Sequence, residues 1–489
     1  MLDNDQNKNQ GINQDLPLQT GALKYLILIC SVAALGGFLF GFDTAVISGV
    51  IGFVKSEYAM SAASEGWFVS VALLGCIIGV AGAGKLSDSY GRKKVLLLSA
   101  LLFTVSAIGC CLVKPEVELL FFRFIGGLGI GVASMVSPLY ITEFAPAKMR
   151  GRLVAVYQLA ITIGILCAYF SNAWLLALSE RPGSLLTEGF INWIVRDHVW
   201  RSMLGVGVFP AIIFMLSLLA IPESPRWLMM KGQKTAARKW VYKVNTAEQA
   251  HREMAAMQTA LIQSPDTKAG LKELMRPLYR SALIIGLALP ALSQLSGINA
   301  VIYYGPRILD AAGFTMGGAF GGQVSIGIIN MLFTFVAIFT VDKWGRKPLL
   351  FVGAGIACLA LITIGCLFYG GVTEGPWILL FILIYIACFA FSFGPVCWIV
   401  VGEIFPTHIR GRAMGLATLS LWVANFFVGW LTPILLDHAG PAGTFWIFAV
   451  LCSPTIWLTV KLIPETKGRS LEQIEAHWAK GSLRDNERE

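Results

Sequence analysis

Charge is what this chain has least of. Only 14% of its 489 residues are Asp, Glu, Lys or Arg and 56% are hydrophobic, whereas an ordinary soluble domain carries about 25% charged residues. That excludes a water-soluble globular protein. Histidine is scarcer still: the five His are isolated, and no phosphate-binding glycine loop or nucleophile arrangement accompanies them. No enzymatic activity is therefore expected, and no cofactor is implied. The ten Cys all fall in apolar stretches, Cys110 and Cys111 side by side, with no metal-ligand or C-x-x-C spacing. They read as small buried apolar residues, and no metal is expected. The opening MLDNDQNKNQGINQDLPLQT lacks a basic region followed by a short apolar one, so no cleaved signal peptide is expected.

Long apolar runs are abundant. About 20 apolar residues cross the hydrocarbon layer as a helix, and twelve such spans lie near 24–52, 65–84, 94–113, 117–141, 152–178, 200–221, 279–304, 319–341, 348–370, 376–401, 412–436 and 443–463. The fold class expected is an all-α membrane protein. The net charge of +9 does not point to nucleic acid, because its distribution follows the membrane. Most Lys and Arg fall on loops of one side; Lys55, Lys114, Arg181, Arg196, Arg201 and Arg307 lie on the other, and Arg123 lies within a span. The positive-inside rule then places both termini in the cytoplasm of a multi-pass protein of the cell (cytoplasmic or inner) membrane.

The chain repeats itself. LSDSYGRKKVLL (86–97) returns as TVDKWGRKPLL (340–350), EFAPAKMRGR (143–152) as EIFPTHIRGR (403–412), and DTAVISG (43–49) as INAVIYYG (298–305). Two parallel six-helix halves are expected, 1–223 and 277–465, with a cytoplasmic helical segment at 224–276 and a tail at 466–489. TAEQAHREMAAMQTALIQ (246–263) gives that middle segment its helical patterning; the alternative is a disordered linker. Parallel repeats place a substrate site at their interface near the midplane.

The repeated loops carry charges of both signs. Asp88 and Arg92, Glu143 with Arg150 and Arg152, Asp342 and Arg346, and Glu403 with Arg410 and Arg412 are expected to form an ion-pair network between the halves on the cytoplasmic side, with Glu223 and Arg226 beside it. Such pairs could hold that side shut in one state and part in the other. The plainer reading is that they anchor helix ends at the headgroups.

With these motifs in hand the chain resembles, over essentially its whole length, the sugar porter family of the major facilitator superfamily, and in pattern its bacterial xylose/proton symporter branch most closely. The resemblance rests on GRKK and GRKP in the repeated loops, ESPRW (223–227), SGINAVIYY (296–304), GPVCW (394–398) and PETKGRSLEQIE (464–475). It implies two six-helix bundles of the major facilitator fold and a sugar site between them. By matching position it assigns Gln158, Gln294, Asn299, Asn330, Trp398, Trp422 and Asn425 to the sugar, with Phe40 as an apolar wall. The residue types suit a pyranose, since amides both donate and accept and aromatic rings pack on its C–H face. Each amide could instead staple helices together. Ser293, Ile165 and Leu421 stand where relatives often carry polar groups, which implies fewer polar anchors.

Asp43 and Arg123 are the charges placed deepest in the spans. A carboxylate near the bilayer centre costs about 2.5–3.5 kcal/mol on insertion scales, so a partner is expected. In the proton-coupled relatives an aspartate at the position of Asp43 carries the proton beside a span 4 arginine. A neighbouring guanidinium lowers a carboxylate's pKa and desolvation raises it, so movement that alters either changes proton affinity. The alternative is a static buried pair. The function expected is import of a monosaccharide, pentose or hexose, with a proton by alternating access, performed by a monomer in the lipid bilayer; a uniporter without coupling and a symporter for a related polyol are the alternatives.

Overall fold

A computed structural model describes residues 20–146, 149–181, 189, 192–263, 274–275, 279–373, 375–405 and 407–467. Among these residues there is no β-strand, and twelve helices are long and apolar enough to cross a membrane. They are span 1, Gly21–Glu57; span 2, Ala62–Tyr90; span 3, Arg92–Leu112; span 4, Glu116–Phe144; span 5, Gly151–Ser179; span 6, Val199–Ala220; span 7, Arg280–Ala311; span 8, Met316–Val341; span 9, Arg346–Tyr369; span 10, Trp377–Ile404; span 11, Ile409–His438; and span 12, Gly440–Lys461. All twelve expected spans are present. Span 1 outruns its apolar stretch because its polar end, Lys55 to Glu57, continues as helix and finds ionic partners.

The repeat is visible in the packing. In the first half span 1 packs on span 5, span 2 on span 4 and span 3 on span 6; in the second, span 7 packs on 11, span 8 on 10 and span 9 on 12. Small residues permit the closest of these contacts. The stretch GGLGIGVAS lies inside span 4, where side chains at Gly127 and Gly131 would run into the backbone of Ala72 and Cys76 in span 2. Between the halves, span 2 meets span 11 and span 5 meets span 8, two contacts that a two-fold exchange of the halves interconverts.

Three spans are broken. Span 6 divides at Val206 and Gly207, between Val199–Gly205 and Val208–Ala220. Span 7 divides at Gly297, whose left-handed backbone (φ 91°) separates Arg280–Leu295 from Ile298–Ala311. Span 10 divides at Ser392, between Trp377–Phe391 and Phe393–Ile404. Between the halves, helices Pro225–Met230, Lys234–Val244 and Ala247–Gln263 form the expected helical segment. The stretch 264–273 and the tail from 468 onward lie outside the described residues.

Candidate functional site

Asp43 and Arg123 meet. Span 1 carries Asp43 and span 4 carries Arg123, and the Arg123 Nη1 lies 3.3 Å from one Asp43 carboxylate oxygen and 3.5 Å from the other. The arginine side chain is only 4% exposed and the aspartate 20%. The guanidinium Nε has no hydrogen-bond partner, so this cation is not fully satisfied by its one carboxylate. One turn before Asp43, the Phe40 ring lies 5.2 Å from that of Trp422 in span 11, tilted by 50°. Charge pair and ring pair therefore lie one turn apart on span 1, the first joined to span 4 and the second to span 11.

The second half contributes polar groups from the break in span 7. The Asn299 amide donates to Gln294 Oε1 at 2.6 Å across Gly297, and Gln294 donates to the Ser293 hydroxyl at 3.1 Å. All three are buried. Further along span 7, Tyr303 and Asn425 of span 11 exchange hydrogen bonds at 3.0 and 3.3 Å, and Tyr303 lies within electrostatic reach of Asp43 and Arg123. Trp422 is fully buried, yet its indole Nε1 has no acceptor. A ligand hydroxyl would complete it.

The remaining expected residues are more dispersed. Gln158 of span 5 lies against Gly394 of span 10, which has no side chain to fill the space between them. Trp398 follows one turn after Gly394 and is half-buried, and Asn330 is buried in span 8. Ile165 is buried, and the Ser293 hydroxyl accepts from Gln294. Tyr303 was not singled out from the sequence, although the YY of SGINAVIYY was its signal.

The charged loops of the two halves repeat several of the same bonds, each made within its own half. At the end of the bundle that bears the start of span 1, Arg92 pairs with Glu143 and Asp88, each at 3.0 Å, and Arg346 pairs with Glu403 at 3.0 Å. The Glu223 carboxylate accepts from the backbone N–H groups of Arg92 and Lys93, and Glu465 accepts from those of Arg346 and Lys347. Both carboxylates thus cap the positive end of a helix. Gly91 (φ 101°) and Gly345 (φ 91°) precede these helices, and a side chain at Gly91 would run into Glu223. The Lys93 ammonium donates to the Leu219 carbonyl at 3.0 Å, and its counterpart Lys347 donates to Val460 at 2.9 Å. Glu465 is a counterpart of Glu223 that the sequence signalled only weakly, as PET against PES. Burial pushes its carboxyl up, but the backbone N–H groups of Lys467, Arg346, Lys347 and Thr466 more than offset this and hold it below the usual carboxylate range.

The ion pairs described at this end, Arg92 with Glu143 and Asp88 and Arg346 with Glu403, each lie within one half. Arg410 donates to the Phe405 carbonyl of its own half, Arg226 is exposed on the helical segment and Arg152 is exposed at the start of span 5, and Arg412 is half-buried. The side chains of Arg150 and Asp342 lie outside the described residues. Arg92 and Arg346 each find a carboxylate of their own half, Glu143 and Glu403.

The ion pairs between the halves sit at the opposite end. Glu65 in span 2 is 1% exposed and holds Lys55 of span 1 at 2.8 Å and Arg307 of span 7 at 2.8 Å; Arg307 also pairs with Asp437 of span 11. Glu65, not Asp43, is thus the more deeply buried carboxylate. Beside it Ser70 donates to the Phe426 carbonyl across the interface, and Trp67 packs on Phe426 and Trp430. Farther along the interface Tyr169 of span 5 donates to the Ile302 carbonyl of span 7 at 3.2 Å. The far end is closed. Nothing in the local sequence joins Glu65 to Arg307, 242 residues apart.

Comparison with known proteins gives a consistent result. A profile of the family described as "Sugar (and other) transporter" matches residues 29–478. An arabinose-proton symporter of Bacillus subtilis (strain 168) is 41% identical, the match covering 94% of this chain and 96% of the relative. A D-xylose-proton symporter of Escherichia coli (strain K12) is 37% identical, with coverage of 93% and 96%. A partially occluded, inward-open structure of the xylose transporter XylE from E. coli superposes with a TM-score of 0.78 at 33% identity, covering 91% of this chain and all of that one.

Proposed function

The chain belongs to the sugar porter family of the major facilitator superfamily, and from that premise we propose that it imports a monosaccharide together with a proton by alternating access. The observation that carries the proposal is the Asp43–Arg123 pair, its arginine buried and its aspartate half-buried, one turn from the Phe40–Trp422 contact between the halves. Asp43 carries the proton. When Arg123 is close the carboxylate is ionised; when the pair loosens in a dry site, protonation is favoured. Sugar is held by Gln158, Gln294, Asn299, Asn330, Trp398, Trp422 and Asn425, with Phe40 as a wall and Tyr303 between sugar and proton. Its hydroxyls exchange with the Gln294–Asn299 bond and satisfy the idle Trp422 indole. Coupling requires only that the carrier loaded with both, or with neither, isomerise more readily than one holding a single ligand.

The moving bodies are residues 1–223 and 277–465, acting within one monomer, with both termini in the cytoplasm as the charge distribution requires. The end held by Glu65 and Arg307 then faces outward. In the proposed cycle the Glu65–Arg307 and Arg307–Asp437 pairs break as the outer side opens. The opposite set closes the inner side: Asp88, Arg92, Glu143, Arg150, Arg152, Glu223, Arg226, Asp342, Arg346, Glu403, Arg410 and Arg412. Its Arg92–Glu143 and Arg346–Glu403 pairs, assembled within each half, would present two organised surfaces to each other. The test is Asp43→Asn in proteoliposomes, which should abolish gradient-driven accumulation of labelled pentose or hexose and retain exchange. Accumulation that survives the substitution refutes the proton role.

A further inference from the structure

The helix Lys234–Val244, KTAARKWVYKV, has four basic residues in eleven and no acidic one. Ala237, Val241 and Val244 are buried, while Lys234, Arg238, Lys239 and Lys243 are exposed. Its aromatic residue fixes where it sits. The Trp240 ring stacks on that of Tyr25 at 6.2 Å and 17°, and Tyr25 is in the second turn of span 1. The Lys243 ammonium lies 3.8 Å from the centre of the Tyr25 ring, and the Lys239 and Lys243 ammoniums each lie 5.2 Å from that of Trp240.

Immediately beyond Tyr25 in span 1, Ile27 and Leu28 are 48% and 53% exposed. Exposed apolar residues on a membrane-spanning helix face acyl chains, and a rise of about 1.5 Å per residue puts Tyr25 within roughly 5 Å of them. Tyr25 therefore marks the boundary between hydrocarbon and headgroups, where Tyr, Trp and Lys are favoured. Lys239, Lys243 and the exposed Lys24 stand at that level. Among the described residues neither Lys239 nor Lys243 has a carboxylate at ion-pair distance; each rests on an aromatic face, which leaves its N–H groups free for oxygen acceptors.

We propose that this surface, built from Lys24, Tyr25, Lys239, Trp240 and Lys243, binds the headgroup of an anionic phospholipid in the adjoining leaflet. The phosphate takes the ammonium groups and an acyl chain lies along Ile27 and Leu28. A soluble phosphate would leave that apolar surface uncovered, so the lipid is the occupant that uses both features. The bound lipid ties the helical segment to the first half, which the Trp227 indole also grips through the Asp88 carbonyl at 2.9 Å.

The test is a native mass-spectrometry titration of the full-length protein in detergent with phosphatidylglycerol or phosphatidylcholine. The wild type and the double variant Lys239→Gln/Lys243→Gln are compared, with sugar exchange after reconstitution as the control for folding. An anionic surface is worth about 1 kcal/mol per nearby lysine, about fivefold in affinity. The double variant should therefore hold phosphatidylglycerol roughly 30-fold more weakly, bind phosphatidylcholine as the wild type does and exchange sugar normally. Three results would overturn the proposal: equal phosphatidylglycerol binding by both proteins; displacement of the lipid by millimolar inorganic phosphate; or phosphatidylglycerol binding that appears only after deletion of residues 1–19. The last would make the acidic N-terminus, with Asp3, Asp5 and Asp15, the natural occupant.

Discussion

Replacing Asp43 by Asn leaves the shape of span 1 intact and removes one charge 3.3 Å from the Arg123 guanidinium. Two effects follow, and they separate in different assays. The first is on stability. Arg123 is 4% exposed and its Nε is already without a partner, and stranding one member of a buried pair costs about 3–5 kcal/mol. The asparagine oxygen still accepts a hydrogen bond and the carboxylate was 20% exposed, so the lower end, about 3 kcal/mol, is expected. The second is on energetics of transport. One charge crossing about 150 mV gains about 3.5 kcal/mol, which supports accumulation of about 300-fold when coupling is tight. An uncoupled carrier reaches a ratio of one. Proteoliposomes with an imposed proton gradient should show accumulation for the wild type and none for Asp43→Asn, while counterflow of labelled sugar persists in both. Gradient-driven accumulation by a folded variant would refute the reasoning and leave Asp43 a static partner of Arg123.

Other expectations follow from the same geometry. Glu65→Gln removes the carboxylate that holds Lys55 and Arg307, so the closed far end should lose about 3 kcal/mol; labels on the far ends of spans 2 and 11 should show a longer distance gaining population by about a hundredfold. Trp422→Phe deletes the unpartnered indole donor and should weaken sugar binding about five- to tenfold, the worth of one hydrogen bond, with proton coupling unchanged in the accumulation assay. Glu465 is held below the usual range, so it contributes stability above the ordinary carboxylate pKa of 4.5 that is lost as pH falls through its folded value. The melting temperature in detergent should drop below pH 4.5 in the wild type, and by less in Glu465→Gln.

The sequence revealed the helices and their repeat because both are local patterns: an apolar run long enough to cross a bilayer, and motifs such as GRKK and GRKP that recur in the same order in the second half. Asp43 and Arg123 stood out as the charges deepest in the spans, the family resemblance set an arginine of span 4 beside that aspartate, and the structure brings the two together. Side-chain partnership across the halves was less legible. Glu65 and Arg307 each look like an ordinary residue near a span end, and only the packing of spans 2 and 7 against span 11 brings them together. The charged loops were legible as repeats but not as to which half would satisfy them, because Arg92 and Arg346 have carboxylates of their own half within reach. Tyr303 escaped notice because a tyrosine in an apolar span is unremarkable until Asn425 meets its hydroxyl.

The central claim is that sugar entry carries protons with it through Asp43. The direct measurement is the pH of a weakly buffered suspension of de-energised cells or proteoliposomes containing the protein, recorded as a transported pentose or hexose is added outside. The account predicts transient alkalinisation of the medium with the wild type and none with Asp43→Asn, although sugar still enters. Entry of sugar through the wild-type protein with no change in external pH would contradict it.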